Sequence, residues 1–185
     1  MAISTKIDFD NIYAIEPVGN NLRTNSFKTE LAGGMLADMH IEISDEQHEL
    51  FPNVYNLSFG PLNKKGRIDD SIKLTHAYYS KVFSTILLEA LTYLSHNPDH
   101  YIGIDGSNNA RAYLYYRFIR RNYDYLNTYF NMYGVKYYVR ITRFGKKQYD
   151  NPFDFADIQS YGEKLEKDMI PQTEFMYNYF FFNLK

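Results

Sequence analysis

Met39, Ile41 and Ile43 alternate with His40, Glu42 and Ser44. A period of two places one apolar and one polar face on an extended chain, so this stretch predicts a half-buried strand. Ser26 to Leu31 and Met35 to Ser44 flank Gly33-Gly34 and predict a hairpin. Asp45 to Pro52 is a charged loop. Val54 to Phe59 predicts a strand ended by Gly60-Pro61, and Arg67 to Leu74 predicts a second strand returning after a polar turn.

The period then changes. Tyr79, Val82, Phe83, Ile86, Leu87, Ala90, Leu91 and Leu94 recur at three- and four-residue spacing, which predicts an amphipathic helix from His76 to Ser95. Thr75 is the expected cap, and Asn97-Pro98 ends the helix. Tyr101 to Ile104 predicts a short buried strand. A long helix is expected from about Asn108 to Met132, with Tyr115, Phe118, Ile119, Leu126, Tyr129 and Phe130 as its stripe. Val135 to Phe144 alternates as a strand, Phe155 to Met169 predicts a short charged helix, and Phe175 to Asn183 predicts a final aromatic strand.

This order predicts an α+β fold: a mostly antiparallel or mixed sheet with two main helices packed on one side. The expected succession is four strands, a helix, a strand, a helix and a strand, then a C-terminal extension. Residues 1–25 form a polar lead-in, irregular or loosely attached. Residues 26–149 form a single α+β domain, and residues 150–185 an extension packed on it.

Composition narrows the chemistry. None of the 185 residues is cysteine, which excludes disulfides, thiolate nucleophiles and thiolate metal sites. Met1 to Asn11 lacks the apolar core of a signal peptide, and no stretch reaches ~18 apolar residues. A soluble, cytoplasmic protein with no membrane partner is expected. The formal net charge of -2 hides a division. Arg111 to Gln148 holds nine basic residues and one acid, a net +8, and the remainder is -10. The same segment holds nine Tyr and three Phe. Cationic groups interleaved with rings suit nucleic acid, since cations meet phosphate and rings stack on bases. They also suit an acidic protein partner, or the chain's own acidic half. Arg117, Arg120, Arg121, Lys136, Arg140 and Arg143 are the candidate binding residues.

Four ordered stretches carry a resemblance: Val54-Tyr55-Asn56-Leu57 with Phe59-Gly60; Gly66 with Ile68-Asp69-Asp70; Lys81-Val82 with Thr85; and Pro98-Asp99 followed by Gly106-Ser107, Arg111 and Leu114-Tyr115. Over roughly residues 54–135 the chain resembles a family of unknown function common in Bacteroidetes genomes. It departs at Asp105, where the family is expected to carry Glu or a neutral residue, and at Tyr113, where a second Arg is usual. The resemblance implies a shared fold and brings no activity with it. It suggests the setting of a toxin–antitoxin-like or phage-defence module.

The most specific local feature is Ile104-Asp105-Gly106-Ser107-Asn108-Asn109-Ala110-Arg111. A strand ends, Gly allows a tight turn, and a helix starts with a capping residue. Exposed N–H groups there favour an anion, and Arg111 one turn in adds a bidentate grip. Asp105, Gly106, Ser107 and Arg111 are therefore candidate phosphate or carboxylate ligands. Ordinary capping by Ser107 or Asn108, with Arg111 paired to Asp105, explains the same residues. Asp69-Asp70 cannot form one carboxylate site on a strand, because neighbours point to opposite faces. Asp38, Glu89 and Asp105 are a candidate carboxylate set for a magnesium nuclease. The five histidines are scattered, with no zinc spacing; His76 is expected to cap or meet solvent. No cofactor and no metal are expected.

Three functions follow. The first is a binding protein for nucleic acid or an acidic partner, within a toxin–antitoxin-like or phage-defence module. The second is a self-associating module, a homo-oligomer or dimer, whose interface includes the aromatic tail Phe175 to Phe182. The third is a phosphoester or nucleotide enzyme centred on Asp105, Ser107 and Arg111.

Overall fold

The computed structural model describes residues 5–18, 21–69, 72–106, 109–136, 162–168 and 177–185. In chain order these form β1 (Ile15–Pro17), β2 (Thr24–Glu30), β3 (Leu36–Gln47), β4 (Val54–Gly60), α1 (Tyr79–His96), β5 (Tyr101–Asp105), α2 (Asn109–Arg121), α3 (Tyr123–Leu126), β6 (Phe130–Lys136), β7 (Glu163–Lys164) and β8 (Tyr177–Leu184). The strands form one sheet in the order β1-β2-β3-β4-β5-β8-β6-β7. Pairing is antiparallel throughout except between β4 and β5. The α+β class holds, with a largely antiparallel sheet and the helices on one side.

The hairpin residues behave as their alternation requires. Phe27, Met39, Ile41 and Ile43 are buried toward the helices. Gly34 turns the chain with φ +78°, which suits a residue without Cβ. β3 runs on to Gln47, through what the charge pattern marks as loop, because a register shift between Ile43 and Gln47 keeps it paired with β4.

Among the described residues, the expected strand from Arg67 to Leu74 does not form; residues 70 and 71 lie outside them. A single bridge links Leu62 and Ile68. Both edges of β4 are already taken, by β3 and β5. The described residues of this segment, 61–69 and 72–76, instead lie beside the end of β4, with Ile68 and Asp69 against Gly60.

Thr75 is not the cap of α1. Its carbonyl accepts from Ala32, the Ala77 amide donates to Glu30, and Leu31 bridges His76, so residues 75–77 lie along the end of β2. The helix starts later, at Tyr79, with no side-chain cap. Val82, Ile86, Leu87, Ala90, Tyr93 and Leu94 bury its apolar stripe. Full burial of side chains such as Ile86 or Leu94 contributes about 1.5–3 kcal/mol each. α1 is also the crossover that a parallel β4–β5 pair demands.

The expected long second helix is two short ones followed by a strand. The described residues therefore form three helices rather than two. α2 stops at Arg121, and Phe130 and Met132 point into the core as alternate residues of β6. Lys136 ends β6, so the expected strand from Val135 overlaps it only at its start; residues 137–150 lie outside the described residues. In the expected charged helix from Phe155 to Met169, the described part includes the two-residue strand β7.

Asn122 explains the break after α2. Its side chain is buried, accepts from the Ile7 amide (2.9 Å), and donates to the carbonyls of Thr5 (3.1 Å) and Phe118 (2.9 Å). The described part of the lead-in is neither loosely attached nor wholly irregular: it carries β1 and the start of β2. Its backbone amides at Asp8, Phe9 and Tyr13 donate to Ser84, Tyr125 and Thr85, each within 3.0 Å. Asn122→Ala removes three bonds and leaves buried polar groups unpaired, so a loss of about 2–4 kcal/mol is expected in urea unfolding. A loss below about 0.5 kcal/mol would show that the strap contributes little.

β8 is the aromatic strand that the C-terminal pattern predicts. It lies inside the sheet, between β5 and β6. Phe180 and Phe182 join the helix-side core, while Tyr179 and Phe181 join a second cluster on the opposite face with Phe51, Val54 and Val135. A register shift at Val135/Lys136 turns Tyr177 back toward the helices. Tyr177, Tyr179, Phe180, Phe181 and Phe182 of the aromatic tail are therefore core rather than the exposed dimer surface expected of it, and Phe175 lies outside the described residues.

Candidate functional site

A cleft of about 1260 Å³ opens at the carboxyl ends of β4 and β5. Its walls are the sheet ends, described residues of the 61–76 segment, the first turns of α1, and α2. Ends of parallel strands, where the chain leaves the sheet for a helix, are common ligand positions because loops diverge there and leave a crevice.

Asp105 and Gly106 sit at the end of β5, where the chain leaves the sheet. Asp105 closes β5, is half-buried and lines the cleft. A Cβ at Gly106 would lie 2.7 Å from the Ala112 Cα, so only glycine lets the strand end fold against the start of α2. Arg111, half-buried, lines the cleft from that same start. Ser107 lies outside the described residues.

Arg117 and Arg121 are exposed, one turn apart on α2, and line the cleft with Arg111. Arg117 lies over the Tyr113 ring at 5.6 Å, a cation–π contact. Arg120 is exposed on another face and forms no part of the cleft wall; it lies beside Tyr116. Lys136 ends β6. Val135 and Asp105 are both level with Tyr179 of β8, so the Lys136 position is at the same sheet end as Asp105. Arg140 and Arg143 lie outside the described residues.

Sequence patterning missed three contributors: Arg67, Lys73 and His76, all from the 61–76 segment. The only local signal was the run Lys64-Lys65-Gly66-Arg67. His76 is not at a cap. Its Nδ1 pairs with the hydroxyl of fully buried Thr29 at 3.0 Å, and its ring meets Tyr79 edge-on. Among the described residues, the cleft wall holds five Arg or Lys and two acids, Glu42 and Asp105. Between them lie Phe59, Phe83 and Phe118, half-buried rings in mutual contact at 6.1 Å and 5.0 Å.

The candidate carboxylate set does not assemble. Asp38 pairs with Lys28 at 3.5 Å, and Glu89 accepts from Asn25. Among the described residues, no group of three or more His, Asp or Glu is placed to hold a metal ion. Asp70 lies outside the described residues. No helix of the described residues is long and apolar enough to cross a membrane.

Burial lowers the pKa of His76 from its ordinary 6.5, and does the same for His48 and His100. Each imidazole binds its proton less readily folded than unfolded. As pH falls through 6.5, the unfolded chain takes up protons first, so stability falls until the lowered folded values are passed. Glu89 is raised by burial and works in the opposite sense at lower pH. Melting temperature is therefore expected to drop between pH 7.5 and 5.5, and His76→Gln to reduce the drop. A flat or rising profile would contradict this assignment.

The family comparison falls on the same residues. A family of unknown function, DUF6934, matches residues 33–155. That span runs from the β2–β3 turn past β6 and includes α1, α2 and the 61–76 segment. No curated protein and no solved structure matches. The chain that builds this cleft belongs to the DUF6934 family.

Proposed function

We propose that the cleft binds a phosphate-bearing ligand, nucleic acid above all, and that the protein acts by binding rather than catalysis. One observation carries the reading. Two basic side chains of the 61–76 segment and three arginines of α2, far apart in sequence, line one cleft with two acids among the described residues of its wall. A surface of one sign inside low-dielectric walls focuses potential and raises the local concentration of the opposite charge. Arginine adds planar, bidentate donors suited to phosphate oxygens.

Asp105 at the end of β5 and Arg111 near the start of α2, both on the cleft wall, serve this reading as one anionic and one cationic group close to the strand ends. A catalytic role would need a nucleophile or a metal beside it, and Ser107 lies outside the described residues. A membership in a toxin–antitoxin-like or phage-defence module fits a nucleic-acid binder and remains a proposal about its setting.

The test is fluorescence anisotropy of labelled DNA and RNA oligonucleotides from 25 to 300 mM salt. Neutralising three to five phosphates predicts a log–log slope of about −2 to −4. Binding that ignores salt, or no binding at the lowest salt, would overturn the reading.

A further inference from the structure

We infer that the ligand of this cleft is single-stranded nucleic acid, held by base stacking as well as by charge. The inference rests on the anionic-ligand reading above and adds strandedness to it.

Two features of the cleft are distinct in chemistry and adjacent in space. Arg117 and Arg121 stand exposed along the outer part of α2, where a phosphate backbone can run past them. Phe118, on the same helix between them, turns inward and is half-buried against Phe83, which in turn meets Phe59. A ligand that uses both must carry anionic groups outside and planar apolar groups inside, at neighbouring positions along its length. A nucleotide strand does so.

A duplex does not. Its bases are paired and stacked within, and its surface offers phosphate and groove edges only. The α2 arginines can touch such a surface, but the recessed ring wall cannot. An unpaired base has an open face, and an aromatic side chain stacks on it whatever its sequence. An acidic peptide would satisfy the arginines and leave the rings without planar partners.

Size points the same way. The cleft, about 1260 Å³, exceeds the ~300–1,000 Å³ of an ordinary small-molecule pocket. It takes more than one nucleotide. Three arginines spread over eleven residues of α2 match a run of phosphates better than a single one. One strand segment of a few unpaired nucleotides fills the space and reaches all three.

The experiment compares four probes on the wild-type protein at 50 mM salt: a ten-nucleotide single strand, the same sequence as a duplex, inorganic polyphosphate of matching charge, and an acidic peptide. Phe118→Leu and Phe83→Leu are then measured with the single strand. Leucine keeps most of the bulk, and circular dichroism with a melting curve checks the fold. The expected result is tenfold or greater preference for the single strand over duplex and polyphosphate. Each variant is expected to weaken single-strand binding about fivefold to tenfold, since stacking, not charge, is lost. Equal binding of single strand, duplex and polyphosphate would overturn the stacking inference while leaving the anion-binding reading intact. Preference for the acidic peptide would overturn it in favour of a protein partner. Failure of every probe would overturn both. Should a variant not fold, the comparison of probes on the wild type still decides.

Discussion

Gly103→Ala is expected to destabilise the protein by about 3–4 kcal/mol, more than any other single methyl group added to the described sheet. A Cβ at this position would stand 1.8 Å from the Tyr179 hydroxyl oxygen and 2.9 Å from Val54 Cγ1. Tyr179 has no room to retreat. It is fully buried, stacks on Phe51 at 5.8 Å, and donates its hydroxyl to Asn56 Oδ1 at 2.5 Å. Either the ring shifts and loses that bond, or β5 and β8 separate. Both disturb the middle of the sheet, where the parallel pair meets the last strand. Domains of this size carry ~5–15 kcal/mol of total stability, so the melting temperature should fall by roughly 10 °C. Differential scanning calorimetry reads this directly. A shift under 2 °C would show that Tyr179 does not pass over Gly103.

Reversing the charges of Arg117 and Arg121 together is expected to weaken single-strand binding about 100-fold at 50 mM salt. Two attractions become repulsions in a cleft that focuses potential. The salt dependence should also flatten, by about 0.7 in the log–log slope for each lost phosphate contact. Arg120→Glu is the control. It changes the same net charge per residue on the same helix, but away from the cleft wall, and should cost less than about threefold. Equal losses from Arg120 and Arg117 single reversals would mean that a diffuse basic face, not the cleft, attracts the ligand. Both Arg117 and Arg121 are exposed, so these variants are expected to fold, with a melting curve as the check.

The candidate site was half legible in advance. The turn Asp105-Gly106 and the arginines of α2 stand within seventeen residues of one another, and strand-to-helix punctuation with clustered charge marks them. Arg67, Lys73 and His76 could not be assigned to the same place. Their own segment was read as a strand, and its distance from α2 in the chain hides the contact. Arg120 was grouped with Arg117 and Arg121 because charge runs carry no direction; the helix turns it 100° per residue and sets it on another face.

By itself the sequence determined the local elements whose side-chain period is unambiguous: the hairpin of β2 and β3, the buried stripe of α1, the short β5, and an aromatic strand at the end. It also determined the separation of basic from acidic segments. These follow from neighbours a few residues apart, where burying one face requires a period of two or 3.6. Only the tertiary structure decided that β8 lies between β5 and β6, that α2 ends where Asn122 holds the N-terminal strap, and that Gly103 makes room for Tyr179. Backbone hydrogen bonds are chemically alike in every strand, so they do not choose partners. The choice falls to which rings and methyl groups fill the space between chain segments that lie far apart in sequence, and that is settled only when the whole core packs.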